Sequence, residues 1–272
     1  MAAKRKSSSA GGAGAPKNTV AAARGRRPPE SGSARARRLW DSVKSILGTI
    51  AIFLVIRQFL VEAYRIPSGS MVPALLVGDW LFVNKLVYGP HVPFTSVSLP
   101  GYAEPRRGEI AVFESPYQAD EAQLGADPTP TLVKRIVGVA GDTIHMRAAK
   151  LFVNGIEQRP GFGAASNATG DDSTHPLFAW QIPFSLRESR FGAAPAAPTH
   201  DNWGPLVVPA GHFFMLGDNR YESKDSRYWG LVPRGNMRGR PLFVYYSYEP
   251  DCAPPFSAIA CIRWSRVGHR IR

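Results

Sequence analysis

Apolar positions are spread unevenly along the 272-residue chain. Residues 43–61 are apolar nearly throughout, and their centre, 45–56, carries no charge, with Lys44 and Arg57 on its flanks. Nineteen residues of this kind come close to the roughly twenty that a helix needs to cross a bilayer, and flanking cations can snorkel to the interface. Beyond residue 64 the apolar runs shorten and are punctuated by Gly, Pro and Asp. Trp80 to Val83 follows Gly78-Asp79, and Glu109 to Phe113 follows Arg107-Gly108. Thr131 to Val133 runs on through Lys134 into Arg135 to Gly138. Thr143 to Met146 and Leu151 to Val153 suggest a hairpin, Phe213 to Leu216 ends at Gly217-Asp218, and Leu242 to Tyr248 is rich in aromatics. Short runs at this spacing predict a mainly β fold of antiparallel strands, with no β–α alternation. Residues 154–208 hold Gly, Ala and Pro clusters around Phe178 to Ile182 and are expected to be a loop-rich insertion or subdomain.

Composition agrees, since 26 Gly and 24 Pro favour turns over a helix bundle. Charge changes the picture more. Of the net +12, residues 1–38 supply ten Lys or Arg against Glu30 alone, or +9, which leaves +3 for the remaining 234 residues. The body is therefore nearly balanced, and nucleic acid is not an expected partner. The tail, rich in Ala, Gly, Ser and Arg, has no apolar period and is expected to be disordered. Three readings compete for the apolar stretch: a buried core helix, a cleaved secretory signal and a retained anchor. Its all-round apolarity argues against the first, and the length of the basic leader against the second. The economical division is a basic tail over 1–38, one transmembrane helix over 39–63 and a β-domain over 64–272 that contains the 154–208 insertion. The positive-inside rule then places the tail in the cytoplasm and the β-domain outside it. Cys252 and Cys261 are close enough in sequence to form a disulfide in an oxidising compartment, or to remain two thiols. Without a His cluster or an H-E-x-x-H motif they do not make a metal site.

Three clusters carry candidate chemistry. In Ile66-Pro67-Ser68-Gly69-Ser70-Met71-Val72-Pro73, two prolines and a glycine hold a tight backbone around two hydroxyls. Small neighbours there would let a substrate carbonyl approach a serine Oγ and nearby N–H groups. The plain alternative is a Ser/Gly/Pro turn. No G-x-S-x-G elbow and no serine with a lysine three positions on is present, and none of the six His sits in a known signature. A second cluster offers a base: alternation places Lys134 on the face opposite Arg135. A lysine pointing into an apolar site becomes easier to deprotonate and can accept a serine proton; on an exposed edge it would simply be solvated. The third cluster, Gly217-Asp218-Asn219-Arg220-Tyr221-Glu222-Ser223-Lys224-Asp225-Ser226-Arg227-Tyr228-Trp229-Gly230, is a polar loop able to orient a site, or a long surface hairpin loop.

Together, in this order and behind an apolar segment, the three clusters resemble the type I signal peptidase (leader peptidase) family over residues 43–153 and 209–268. The resemblance implies a membrane-bound serine endopeptidase of largely antiparallel β-structure that cuts signal peptides from exported preproteins after small residues, without metal or organic cofactor. By it Ser70 is the nucleophile and Lys134 the general base. The Ser70 N–H and the Ser68 hydroxyl form the oxyanion hole, Ser223 hydrogen-bonds and orients the Lys134 amine, and Gly217, Asp225 and Arg227 support the site. Ile66, Met71, Leu75, Leu132 and Val133 are the expected apolar walls. The implied location is a bacterial inner membrane, with the bilayer and preprotein signal peptides as partners.

The chain departs from the family pattern in two places. Tyr221-Glu222 stands where Asp-Asn is usual, and 154–208 matches no family segment. Some Gram-negative relatives carry two spans, whereas one is expected here. Other readings are a Ser-Lys protease with a narrower task, such as processing a pilus or conjugation protein, and a membrane-anchored β-domain that binds without catalysis.

Overall fold

The computed structural model describes residues 32–93, 95, 97–158, 170–186, 189–252 and 258–271. The chain divides into two compact units, Met1–Thr49 and Ile50–Arg272. In the first, the described residues belong to helix α1, Gly32–Val55, which continues through a π-helical turn, Ile56–Leu60. Arg37–Leu60 is long and apolar enough to cross a membrane, with a mean hydropathy of 1.7 over eighteen residues and no burial. The helix takes in residues 32–38, which composition assigns to the tail. The rest of the expected disordered tail lies outside the described residues. Strand β1, Val61–Arg65, claims 61–63 from the expected anchor. Its V-E-A-Y-R alternation is masked in sequence by the apolar run that precedes it.

The second unit is built of antiparallel sheets, as expected. Among the described residues, ten further strands follow β1: β2 (Asp79–Asn84), β3 (Ile110–Glu114), β4 (Thr131–Gly138), β5 (Thr143–Arg147), β6 (Lys150–Val153), β7 (Ile156–Glu157), β8 (Trp203–Val207), β9 (His212–Leu216), β10 (Val232–Pro233) and β11 (Met237–Ser247). Seven form a sheet in the order β1-β2-β11-β3-β4-β9-β10, and four form a second in the order β7-β6-β5-β8. Short helices α2 (Ala119–Gln123) and α3 (Ser226–Trp229) and a 3-10 segment, Pro176–Phe184, lie between strands.

Burial on both faces explains the consecutive apolar residues Ile136-Val137 of β4 and Phe213 to Leu216 of β9. Ile136 of β4 and Phe213 and Met215 of β9 enter one core with Val87, Phe113 and Met237. Val137, Phe214 and Leu216, on the opposite face, enter another with Ile144, Met146, Trp203 and Leu206. Where a strand is covered on both faces, successive residues are apolar rather than alternating. β2, covered less evenly, alternates buried and partly exposed residues throughout.

The 154–208 segment is only partly loop. β8 pairs with β5 and closes the smaller sheet. It escapes a sequence reading because Gly204 and Pro205 interrupt it, yet the sheet requires that glycine: its φ is +68°, and a Cβ there would lie 2.7 Å from the Ile144 carbonyl oxygen. Cys252 and Cys261 form a disulfide, with Cα atoms 5.7 Å apart.

Trp203 is fully buried and stacks on Phe214 at 5.0 Å between ring centroids. Trp203→Ala is expected to lower unfolding stability by about 3–5 kcal/mol, measured by denaturant titration of the detergent-solubilised chain. A change near zero would mean that the insertion unfolds separately from the β-domain.

Candidate active site

Ser70 lies in a single 3-10 turn, Gly69–Met71, just past the end of β1. Two hydrogen bonds to its carbonyls tie the turn to the third motif: the Asn219 backbone N–H donates to the Ser70 carbonyl at 3.1 Å, and the Asn219 side-chain Nδ2 donates to the Gly69 carbonyl at 3.3 Å. Glu222 accepts from the same Asn219 amide at 2.8 Å. The acidic departure at 222 therefore has a structural partner: it aims the asparagine that pins the serine turn.

Lys134 projects from β4 and is 4% exposed. It shares one cleft with Ser70, a cavity of about 100 Å³ lined by residues 64–68, Ser70, Met71 and 131–134. Residues 131–134 pair with β3 on one side, whereas the pairing of β4 with β9 begins at Arg135. Among the described residues their other edge pairs with no strand, and Tyr64 and Arg65 of β1 line the same cleft. Of the five expected wall residues, Ile66, Met71, Leu132 and Val133 line the cleft. Leu75 does not: it is fully buried in the core with Leu81, Val83 and Val112. Its amide bonds the Met71 carbonyl at 2.9 Å, which turns the chain inward before Leu75 can reach the cavity.

Burial pushes the Lys134 amine down from its ordinary value of 10.5 to about 8. Asp225 pulls against this, Arg227 reinforces it and Asp218 again opposes it. These charges come largely as compensated pairs. Arg135 grips Asp218 through Nε and Nη2, both at 2.7 Å, and the pair is almost wholly buried. Arg227 grips Asp225 through Nε and Nη2, both at 2.8 Å, with neither side chain exposed. Desolvation thus outweighs the field at Lys134. Burial alone would raise the Asp225 carboxyl, but Arg227, with Lys134 and the Gly217 N–H, holds it below the usual range.

Gly217 is required sterically. A Cβ there would run into Ser223 and lie 2.5 Å from the Ser70 carbonyl oxygen. Ser223 differs from expectation: its hydroxyl is buried and makes no hydrogen bond among the described residues, so the expected bond to Lys134 is not formed. Packing over the Gly217 Cα accounts for this, since it places the serine against the loop backbone. Sequence reasoning also missed residues that hold the loop from outside it. Trp180 Nε1 and Gln181 Nε2 donate to the Arg227 carbonyl, and His200 contacts the Arg227 guanidinium. Tyr221 stacks on His200 at 5.1 Å and donates to Asp201 at 3.2 Å. Tyr221 and the 154–208 segment are thus halves of one contact. Nothing in the sequence marks these residues; His200 is one of six histidines without a signature.

A family model described as "Signal peptidase, peptidase S26" matches residues 39–246. The chain belongs to this family. A signal peptidase I of Pseudomonas fluorescens is 36% identical over 81% of this chain and 78% of its own length. One from Pseudomonas aeruginosa is 35% identical over 83% and 77%, and one from Aquifex aeolicus 29% identical over 81% and 91%. A solved signal peptidase I from Enterococcus faecalis is 26% identical, over 50% of this chain and 96% of that one, with a TM-score of 0.30. The S26 chain is thus a serine peptidase, which sets aside the non-catalytic reading.

Burial of Lys134 bears on stability as well as on the site. A folded-state value of about 8 against 10.5 means that the charged amine is disfavoured in the folded peptidase. The resulting cost is complete below about pH 8 and fades as pH rises toward the ordinary lysine value. Lys134→Met is therefore expected to melt higher than the parent at about pH 6–7, with the gain shrinking toward about pH 10. Melting curves in detergent across this range test it. A variant less stable than the parent at the acid end would contradict desolvation as the dominant effect.

Proposed function

We propose that this S26 peptidase cleaves signal peptides from exported preproteins with Ser70 as nucleophile and Lys134 as general base. The observation that carries the assignment is the shared cleft, in which an exposed-edge strand, a serine turn and a dehydrated amine near pKa 8 meet. Neutral Lys134 takes the Ser70 proton as Oγ bonds the scissile carbonyl carbon. The Ser70 N–H and the Ser68 hydroxyl, which also lines the cleft, receive the developing oxyanion. The protonated amine then gives its proton to the leaving nitrogen as the C–N bond breaks. Water, activated by the same amine, hydrolyses the acyl-enzyme.

Substrate fits as an extended strand between residues 64–67 and the open edge of 131–134, with alternate side chains turned toward Ile66, Met71, Leu132 and Val133. A cavity of about 100 Å³ favours small side chains next to the cut. The +9 segment ahead of one apolar helix favours a cytoplasmic N-terminus, with the catalytic unit on the outer side of a bacterial inner membrane.

Ser70→Ala and Lys134→Ala are expected to cut preprotein processing by about 10²–10⁴-fold or more while the protein stays folded. kcat/KM should rise with pH through a limb near 8. A limb at the free-lysine value, or near-normal turnover by Lys134→Ala, would remove the dyad. For topology, protease added to spheroplasts should digest the catalytic unit and spare residues 1–38; the reverse protection would invert the orientation.

A further inference from the structure

The cleft holds substrate on one side of the cut only. Residues 131–134 offer an open edge, but from Arg135 onward that edge is taken by Leu216 of β9. Ser70 stands at this end, where a Cβ on Gly217, the residue after Leu216, would lie 2.5 Å from the Ser70 carbonyl oxygen. An extended chain laid along 131–134 with its scissile bond at Ser70 therefore has to leave the sheet just past the cut and cross the loop that follows Gly217. A second cavity, of about 290 Å³, opens on that loop and is lined by Asp120, His175, Leu177, Glu222, Lys224 and Tyr228 among others. Its near wall abuts the serine turn: Glu222 Oε2 lies 3.4 Å from the place that a Cβ on Gly69 would take. Glu222 is exposed, and the Asn219 amide that donates to Oε2 at 2.8 Å fixes its direction. Lys224 puts an ammonium on the same rim, but Asp120 and Glu121 of α2 each accept from it at 2.6 Å. Three carboxylates thus stand around one ammonium that is already paired with two of them, and among the described residues no cation pairs with Glu222.

We propose that this cavity seats the first residues past the cut, and that Glu222 makes it favour a basic side chain there over an acidic one. The inference rests on the Ser-Lys reading, which places the cut at Ser70. Successive residues of an extended chain advance by about 3.3 Å. The first three past the cut therefore reach across the Glu222 wall toward Lys224 and Asp120. A lysine or arginine arriving there meets a carboxylate that is already aimed and has no cation of its own. A glutamate meets like charge on both walls. Selectivity is the difference between these two interactions, and both act in the same direction. Ion pairs on a half-open rim are individually weak and are screened by salt, so the expected selectivity is about five- to twentyfold rather than all-or-none.

The test uses full-length, detergent-solubilised wild type, Glu222→Gln and Ser70→Ala. The substrates are versions of one preprotein in which each of the first three residues past the cut is made Lys, Gln or Glu in turn. Glu222→Gln keeps an acceptor for the Asn219 amide and removes the charge. At one or more of the three positions, wild type should cleave the Lys substrate with a kcat/KM about five- to twentyfold above the Glu substrate, with Gln between them, and the ratio should fall toward one as salt rises. In Glu222→Gln the same ratio should drop to about twofold or less, whatever its overall rate. Equal rates across the panel, an acidic preference, or a ratio that survives in Glu222→Gln would overturn the proposal. Should Glu222→Gln not fold, a photo-crosslinking residue at the same three positions of the substrate, bound to Ser70→Ala, decides it. Label must appear on 175–177 or 221–224, and label confined to other segments overturns the seat. Cleavage surviving in Ser70→Ala would instead sink the Ser-Lys reading, and the charge ratio is read on the other two proteins regardless.

Discussion

The centre depends on keeping one amine out of water. An ammonium on a strand buried between two cores is disfavoured by desolvation, and that cost brings the Lys134 pKa down to about 8, within reach of physiological pH. The surroundings preserve the effect by cancelling other charges. Arg135 with Asp218 and Arg227 with Asp225 are tight bidentate pairs, so two anions lie near the lysine without a large net negative field. An uncompensated carboxylate at either place would favour the charged amine and undo what burial achieves.

That requirement explains why the polar loop is built as densely as it is. Asn219 holds the serine turn, Asp225 holds the Gly217 amide at 3.1 Å, and Ser226 Oγ accepts from the Met215 amide at 2.9 Å. Each bond joins the loop to a strand or turn that carries part of the site. Gly217 lets these parts close together, since any side chain there would collide with Ser223 and the Ser70 backbone. Arg227, at the loop's centre, is held from behind by the insertion through Trp180, Gln181 and His200. Residues 154–208, which the family model spans, are therefore continuous with the framework of the Ser70–Lys134 cleft, through the sheet pairing of β8 and through this contact.

The sequence by itself determined the fold class, the apolar helix and the family, because each is written in local patterns. Short apolar runs between Gly, Pro and Asp specify strands, and side-chain period places Lys134 and Arg135 on opposite faces. Tertiary structure alone decided what those faces meet. Alternation could not show that Arg135 is buried against Asp218, 83 positions away, rather than solvated. Nor could it show that Leu75 turns into the core, that Ser223 packs on Gly217 without a partner, or that Gly204-Pro205 sits within a strand. His200 was one of six histidines without a signature, and only the fold sets it 2.7 Å from an arginine 27 residues on. The reason is physical: periodicity records which side of an element avoids water, whereas a buried donor is satisfied by whichever acceptor the folded chain brings within reach.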